Sequence, residues 1–231
     1  MPSDEKNLHR RLQEGLCPEN SLEKGPIDSW RVFKIIAEFV SGFEKLQRYC
    51  LAVTFFGTAR CQFGDKVYEM ATELSGKLSK EGFAVITGGG SGVMEAANRG
   101  AYEAKGASVG LHISLPDEQE LNDYVTDSLG FHYFFTRKVM LAFASEVYVF
   151  FPGGFGTLDE FFELVMLVQT KKVRALPIVL IGQEYWKPLL EWIERDLYQK
   201  YHAIDKEDME IYYLADSVED AFRYIIEKVA R

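Results

Sequence analysis

The stretch "EVYVFFPGGFGTLDEFFELVMLVQT", residues 146–170, decides the fold. Its opening run of β-branched and aromatic residues, Val147 to Phe151, is the pattern of a strand buried on both faces. The glycine-rich turn Pro152 to Gly156 follows, and then a run with helical periodicity. Together they predict a strand, a tight turn and a helix.

The same unit recurs on either side. "LAVTFFG" (51–57), "FAVITGG" (83–89), "SVGLHI" (108–113) and "LPIVLIG" (176–182) are further apolar runs of strand length. Helical patterns separate them: "KVYEMATELSGKLSKEG", "VMEAANRGAYEAKG", "TRKVMLAFAS" and "EYWKPLLEWIERDLYQK", with "SVEDAFRYIIEKVA" as the last. Strands alternating with helices predict an α/β protein, a single Rossmann-like doubly wound parallel sheet with helices on both faces. Residues 26–231 are expected to form that one domain. A polar tail over 1–25 precedes it, and an N-terminal helix at about 28–47 places Trp30, Phe33, Ile36, Val40 and Phe43 three or four apart behind a potential Asp28 N-cap. Its apolar face predicts packing on the domain or on another subunit. One segment lacks periodicity, the acidic "SLPDEQELNDYVTDSLG" (114–130), and reads as a long binding loop, a lid or a solvated crossover.

Composition narrows the function classes. A net charge of −9 disfavours a nucleic-acid partner, whose footprint is normally basic. The three cysteines, Cys17, Cys50 and Cys61, have no CxxC spacing, and the four histidines no metal-ligand spacing, so neither a disulfide framework nor a metal site is expected. The charged N-terminal stretch and the lack of a long apolar run predict no signal peptide, no membrane partner and a cytoplasmic location.

Ligands of open α/β sheets bind at the carboxyl ends of the strands, which directs attention to three turns. These are "FFGTAR" (55–60), "ITGGGSGVMEAANRG" (86–100) and "FPGGFGTLDE" (151–160). The second fits a G-x-G-x-x-G dinucleotide fingerprint poorly, with valine at the sixth position and no acidic residue ending the next strand, so no dinucleotide is expected. Its glycines, Gly89 and Gly90 among them, still allow backbone N–H groups to approach an anion. In the third, Gly153, Gly154 and Gly156 permit positive φ and close ligand approach, with Thr157 offering a hydroxyl where the helix begins. No lysine follows in Walker spacing. A purely local explanation competes: Thr157 and Glu160 stand at the T-x-x-E spacing of a capping box, and Asp159 and Glu163 suit a helix start through the dipole. The Arg137 and Lys138 pair in "FFTRKVM", next to Phe131, Tyr133 and Phe134, adds cations and aromatics of the kind that would face a phosphate and a base.

"TGGGSGVMEAANRGA", "FFTRKVM" and "PGGFGTLDE", in that order, resemble the Lonely Guy family of phosphoribohydrolases, with PGGxGTxxE preceded by an Arg-Lys motif. The resemblance runs from about Ser29 to the C-terminal helix, and the aromatic "FHYFF" and N-terminal extension look more like the longer bacterial branch. It implies hydrolysis of the N-glycosidic bond of a purine nucleoside 5′-monophosphate, AMP or an N6-modified cytokinin nucleotide, to free base and ribose 5-phosphate, without a cofactor. By motif position it makes Arg137 and Glu160 catalytic and Gly153, Gly154, Gly156 and Thr157 the phosphate turn. Lys138, Glu95, Asn98, Gly89 and Gly90 are implied substrate contacts. It also implies a homodimer or larger homo-oligomer. Related Rossmann-like proteins are carriers, so a non-catalytic nucleotide- or cofactor-binding protein is the alternative. The label "lysine decarboxylase" given to relatives finds no lysine here in a recognisable pyridoxal phosphate context.

Overall fold

A computed structural model describes residues 29–113 and 121–230. The expected tail over 1–25, the Asp28 cap and residues 114–120 of the expected loop lie outside the described residues. The chain divides into two units, residues 1–37 and 38–231. In the first, the described residues are the opening turns of helix α1 (Ser29–Leu46), where Trp30 and Phe33 meet edge to face at 5.9 Å.

The second unit holds seven parallel strands among its described residues: β1 (Ala52–Phe56), β2 (Ala84–Thr87), β3 (Ser108–Ile113), β4 (Asp127–Phe131), β5 (Val147–Phe150), β6 (Ile178–Ile181) and β7 (Tyr212–Ala215). Their order is β4-β3-β2-β1-β5-β6-β7. The helices are α2 (Lys66–Lys80), α3 (Val93–Glu103), α4 (Phe134–Ala142), α5 (Phe155–Gln169), α6 (Gln183–Trp192) and α7 (Val218–Val229). Side chains alternate across each strand, so the sheet feeds two cores. Val53, Phe55, Val85, Val149 and Val179 pack with α2, α3 and α7, while Ile86, Leu111, Tyr148, Phe150 and Leu180 pack with α4, α5 and α6. This is the predicted doubly wound arrangement.

Three expectations are corrected. The segment 114–130 is not loop to its end, because Asp127–Phe131 is an edge strand paired with β3. Its Asp, Ser and Gly are poor strand formers, and the strand exists through tertiary support: Asp127 is ion-paired to Lys45 and accepts a 2.6 Å hydrogen bond from the Tyr49 hydroxyl. β7 at the opposite edge was likewise not anticipated. The long helix expected over 184–200 stays α-helical only to Trp192 and then widens into a π-helix over Ile193–Lys200. In the part of α1 within the second unit, Val40 and Phe43 of the apolar stripe are 51% and 44% exposed. The face turned to the sheet carries Glu38, Phe39, Gly42 and Leu46, and Gly42 lies so close to Met140 that a Cβ would stand 2.3 Å from its Sδ.

Candidate active site

The strand order reverses direction between β1 and β5, and the turns leaving those two strands frame a cleft of about 1100 Å³. A crevice there is what the topology of an open α/β sheet provides. The two turns are tied by a 2.9 Å hydrogen bond from the Thr58 N–H to the Pro152 carbonyl, and the Thr58 carbonyl accepts another from Val93 at the start of α3. The "FFGTAR" and "PGGFGT" turns therefore form one rim.

The turn before α5 differs from its expected chemistry. Gly154 is the N-cap, Phe155 opens the helix, and no side chain caps it, so Thr157 and Glu160 do not form a capping box. Nor do Gly153, Gly154 and Gly156 have positive φ; the glycines that do, among described residues, are Gly64, Gly82, Gly89, Gly92 and Gly182. What glycine supplies here is space. A Cβ at Gly153 would stand 2.1 Å from Thr157 Oγ1, whereas one at Gly154 or Gly156 would meet nothing within 4 Å and would project into the open. The first-turn N–H groups of α5 have no intrahelical acceptors and stand beside the cleft with the positive end of the helix dipole. The Tyr185 hydroxyl fixes the turn from below by donating to the Gly153 carbonyl at 2.7 Å.

Arg137 and Lys138 on α4 and Asp159 and Glu160 on α5 line the same cleft. Lys138 is ion-paired to Asp159, and its Nζ lies 3.4 Å from Glu163. Burial works against the Lys138 charge, yet the Asp159 hydrogen bond and the Glu160 and Glu163 carboxylates hold the ammonium above the ordinary lysine range. Glu160 is left over: its Oε2 is buried with no hydrogen-bond partner among the described residues. Burial pushes its carboxyl up to about 8; Lys138 and Arg137 pull it down, while Glu163 and Asp159 push it further up. Arg137 Nε is also buried and has no hydrogen-bond partner among the described residues, and desolvation lowers the guanidinium from its ordinary range against the attraction of Glu160. Buried, unsatisfied groups of opposite sign in one cleft are costly to folding, and a bound polar ligand is the usual reason they persist.

The other expected residues sit elsewhere. Gly88 lines the cleft, but Gly89 does not; its positive φ and its closeness to Leu121 make it a packing position. The carbonyl of Gly90 accepts from Asn122 Nδ2 at 2.9 Å. Asn98 is fully buried and bonded to Thr87, Ser108 and Asn122, so it ties β2 and β3 together below the turn. Glu95 accepts a 3.0 Å bond from the Tyr68 hydroxyl and faces a smaller neighbouring pocket with Arg60 and Cys61. Phe131 is a core residue outside the cleft lining; among the aromatics that line the cleft, Phe134, Phe135 and Phe155 are exposed, the last 93%. His112, which stands among scattered histidines in the sequence, is held neutral by burial and by the charge of Arg137, with Nδ1 buried and unpartnered among the described residues. Only the topology could have placed it beside Arg137.

Residues 94–225, more than half of the sequence, match the family model described as "possible lysine decarboxylase". The chain belongs to this family. Members of known activity similar to it include the cytokinin riboside 5′-monophosphate phosphoribohydrolase of Rhodococcoides fascians, 26% identical over 62% of this chain and 74% of the relative. The enzyme with the same description from Mycobacterium tuberculosis is 27% identical over 68% of this chain and 84% of its own. In fold, the chain is similar to the molybdenum cofactor carrier protein of Chlamydomonas reinhardtii, with a TM-score of 0.57 and 24% identity over 78% of this chain and 99% of that one. The family thus joins phosphoribohydrolase relatives to a fold also used by a carrier.

Proposed function

We propose that this chain hydrolyses the N-glycosidic bond of a purine nucleoside 5′-monophosphate, releasing the free base and ribose 5-phosphate. The observation that carries the proposal is Glu160 Oε2, buried in the switch-point cleft without a hydrogen-bond partner among the described residues. Breaking C1′–N9 leaves cationic, oxocarbenium-like character on the ribose and negative charge on the departing base. Ionised Glu160 stabilises the cation and takes the proton of the attacking water, whose hydroxyl bonds to C1′ as C1′–N9 breaks; that proton then passes to the departing base, which restores the carboxylate. A general base is most effective with a pKa near the working pH, and about 8 is in that range. The phosphate is received by the α5 N-terminus over Gly154 and Gly156, where no side chain intrudes. Arg137 orients the nucleotide and offsets negative charge. Lys138, already engaged by Asp159, keeps that carboxylate from competing with Glu160.

Decarboxylation of lysine through pyridoxal phosphate does not fit these residues. A Schiff-base lysine must present a neutral amine. Lys138, which lines the cleft, is instead ion-paired and held protonated.

The carrier alternative, favoured by the fold neighbour, predicts ligand retention without turnover. Incubation of the purified protein with AMP and with an N6-alkylated AMP, followed by chromatographic detection of free base, separates the two. Stoichiometric binding of either nucleotide with no free base over many hours overturns the hydrolase reading.

A further inference from the structure

Helix α4 presents Arg137 and Lys138, but its own sequence does little to start it. No side chain of the adjoining segment caps it, and its first turn has no acidic residue to complement the dipole. Its N-terminus is secured from a distance. Glu38 of α1 accepts a 2.7 Å hydrogen bond from the His132 N–H on one carboxylate oxygen. Its other oxygen accepts from the Tyr133 N–H at 3.4 Å and contacts the Thr136 hydroxyl. A carboxylate here meets orphan donors and the positive end of a helix dipole together. Tyr133 passes the constraint on: its N–H faces Glu38, while its carbonyl accepts the 3.2 Å bond from the Arg137 N–H.

The part of α1 that follows Glu38, with Tyr49 just beyond the helix end, supports the same grip. Gly42, one turn on, allows the close approach of Met140 on α4, and Lys45 and Tyr49 hold Asp127 on the strand that leads into α4. Glu38, Gly42 and Lys45 follow at helical spacing, with Tyr49 just past the helix end, so one face of this part of α1 contacts both the beginning and the approach of α4.

We propose that Glu38 is a positioning residue: its carboxylate, fixed to the start of α4, sets the rotation and height at which Arg137 and Lys138 enter the cleft. This rests on the cleft being the nucleotide site. Glu38 itself lies outside the cleft lining.

The test compares wild type, Glu38→Ala and Glu38→Gln, each alone and combined with Arg137→Ala. Backbone amide exchange of His132 and Tyr133 reads the anchor itself, and the AMP-induced rise in melting temperature together with kcat and KM reads its consequence. Glu38→Ala is expected to speed exchange of both amides at least about tenfold and to lower kcat/KM about tenfold, with Glu38→Gln intermediate because it keeps an acceptor and the volume. In the Arg137→Ala background the loss from Glu38→Ala should largely disappear, a non-additivity that general destabilisation does not produce. Unchanged exchange, or faster exchange with nucleotide affinity and kcat/KM intact, overturns the proposal, as do fully additive losses. If wild-type protein binds AMP but releases no base, the hydrolase reading fails, and the amide exchange and AMP-induced shift still decide the role of Glu38.

Discussion

Arg137 and Glu160 face one cleft from two helices and sense each other's charge, yet each keeps a buried polar atom without a partner among the described residues, Nε on one and Oε2 on the other. Lys138 does not close the gap, because Asp159 and Glu163 engage it. A guanidinium and a carboxyl thus stand in one cleft, each with a buried polar atom that no described residue satisfies.

Replacing the carboxyl without changing its shape isolates the chemistry. Glu160→Gln should lower kcat for base release by about 10²–10⁴-fold while AMP still raises the melting temperature. Because Glu160 takes no part in capping α5, the circular dichroism of the variant should match wild type. Full activity of this variant removes Glu160 from the mechanism.

The pH profile of wild type follows from the same group. If the ionised form acts as base, kcat/KM should climb roughly tenfold per unit up to about 8 and then level off. A rate that falls over that interval assigns Glu160 the role of acid instead.

Stability should respond in the opposite sense. Below the ordinary carboxylate range both folded and unfolded chains hold the proton, so Glu160 has no effect on folding there. Between that range and about 8 only the folded chain holds it, so each rise in pH favours the unfolded state until the folded group ionises as well. Glu160→Gln should therefore melt higher than wild type by several degrees at pH 9, at about 2–4 °C per kcal/mol, with the gap closing as pH falls to 4–5. Calorimetry of the two proteins across that range checks it; a gap that widens toward acid contradicts the assignment.

The three turn glycines should separate by mechanism. Gly153→Ala drives a methyl into Thr157 and should cost about 1–3 kcal/mol of stability. Gly156→Ala lies in the first turn of α5 with nothing in its way, so it should hold or raise stability by about 0.4–1 kcal/mol while weakening AMP binding through a methyl in the phosphate path. Gly154→Ala should also weaken binding with little loss of stability. Isothermal titration beside thermal melts distinguishes them, and unimpaired AMP binding in both Gly154→Ala and Gly156→Ala places the phosphate elsewhere.

Arg137→Ala should abolish most of the melting-temperature rise given by saturating AMP, which in wild type amounts to about 2.7 kcal/mol at a hundredfold excess over Kd. An unchanged ligand shift would show that Arg137 does not bind the nucleotide.

Much of this was legible in one dimension. Val147–Phe150 and the other buried strands are continuous apolar runs because both faces of a central strand meet helices, and that requirement is local enough to read. Glycine-rich turns before helices pointed to the crevice that the strand order opens between β1 and β5, since sheet topology fixes which strand ends meet there. The edge strands β4 and β7 were not legible: Asp127, Ser128 and Gly130 carry no strand signal, and Lys45 and Tyr49, far away in sequence, hold the first of them. The T-x-x-E spacing of Thr157 and Glu160 suggested a cap that the helix start at Phe155 rules out. Asn98 and Glu95 share the glycine motif of the cleft but face other neighbours.

The sequence by itself determined the alternating elements, the parallel sheet and the residue types gathered at its carboxyl edge, because periodicity and turn chemistry are properties of adjacent residues. Only the tertiary structure decided that Glu160 Oε2 is buried with no partner among the described residues, that Lys138 is occupied and that Glu38 bonds to the segment that starts the helix bearing Arg137. Each of those depends on desolvation and on partners supplied by remote segments, and no local pattern encodes either.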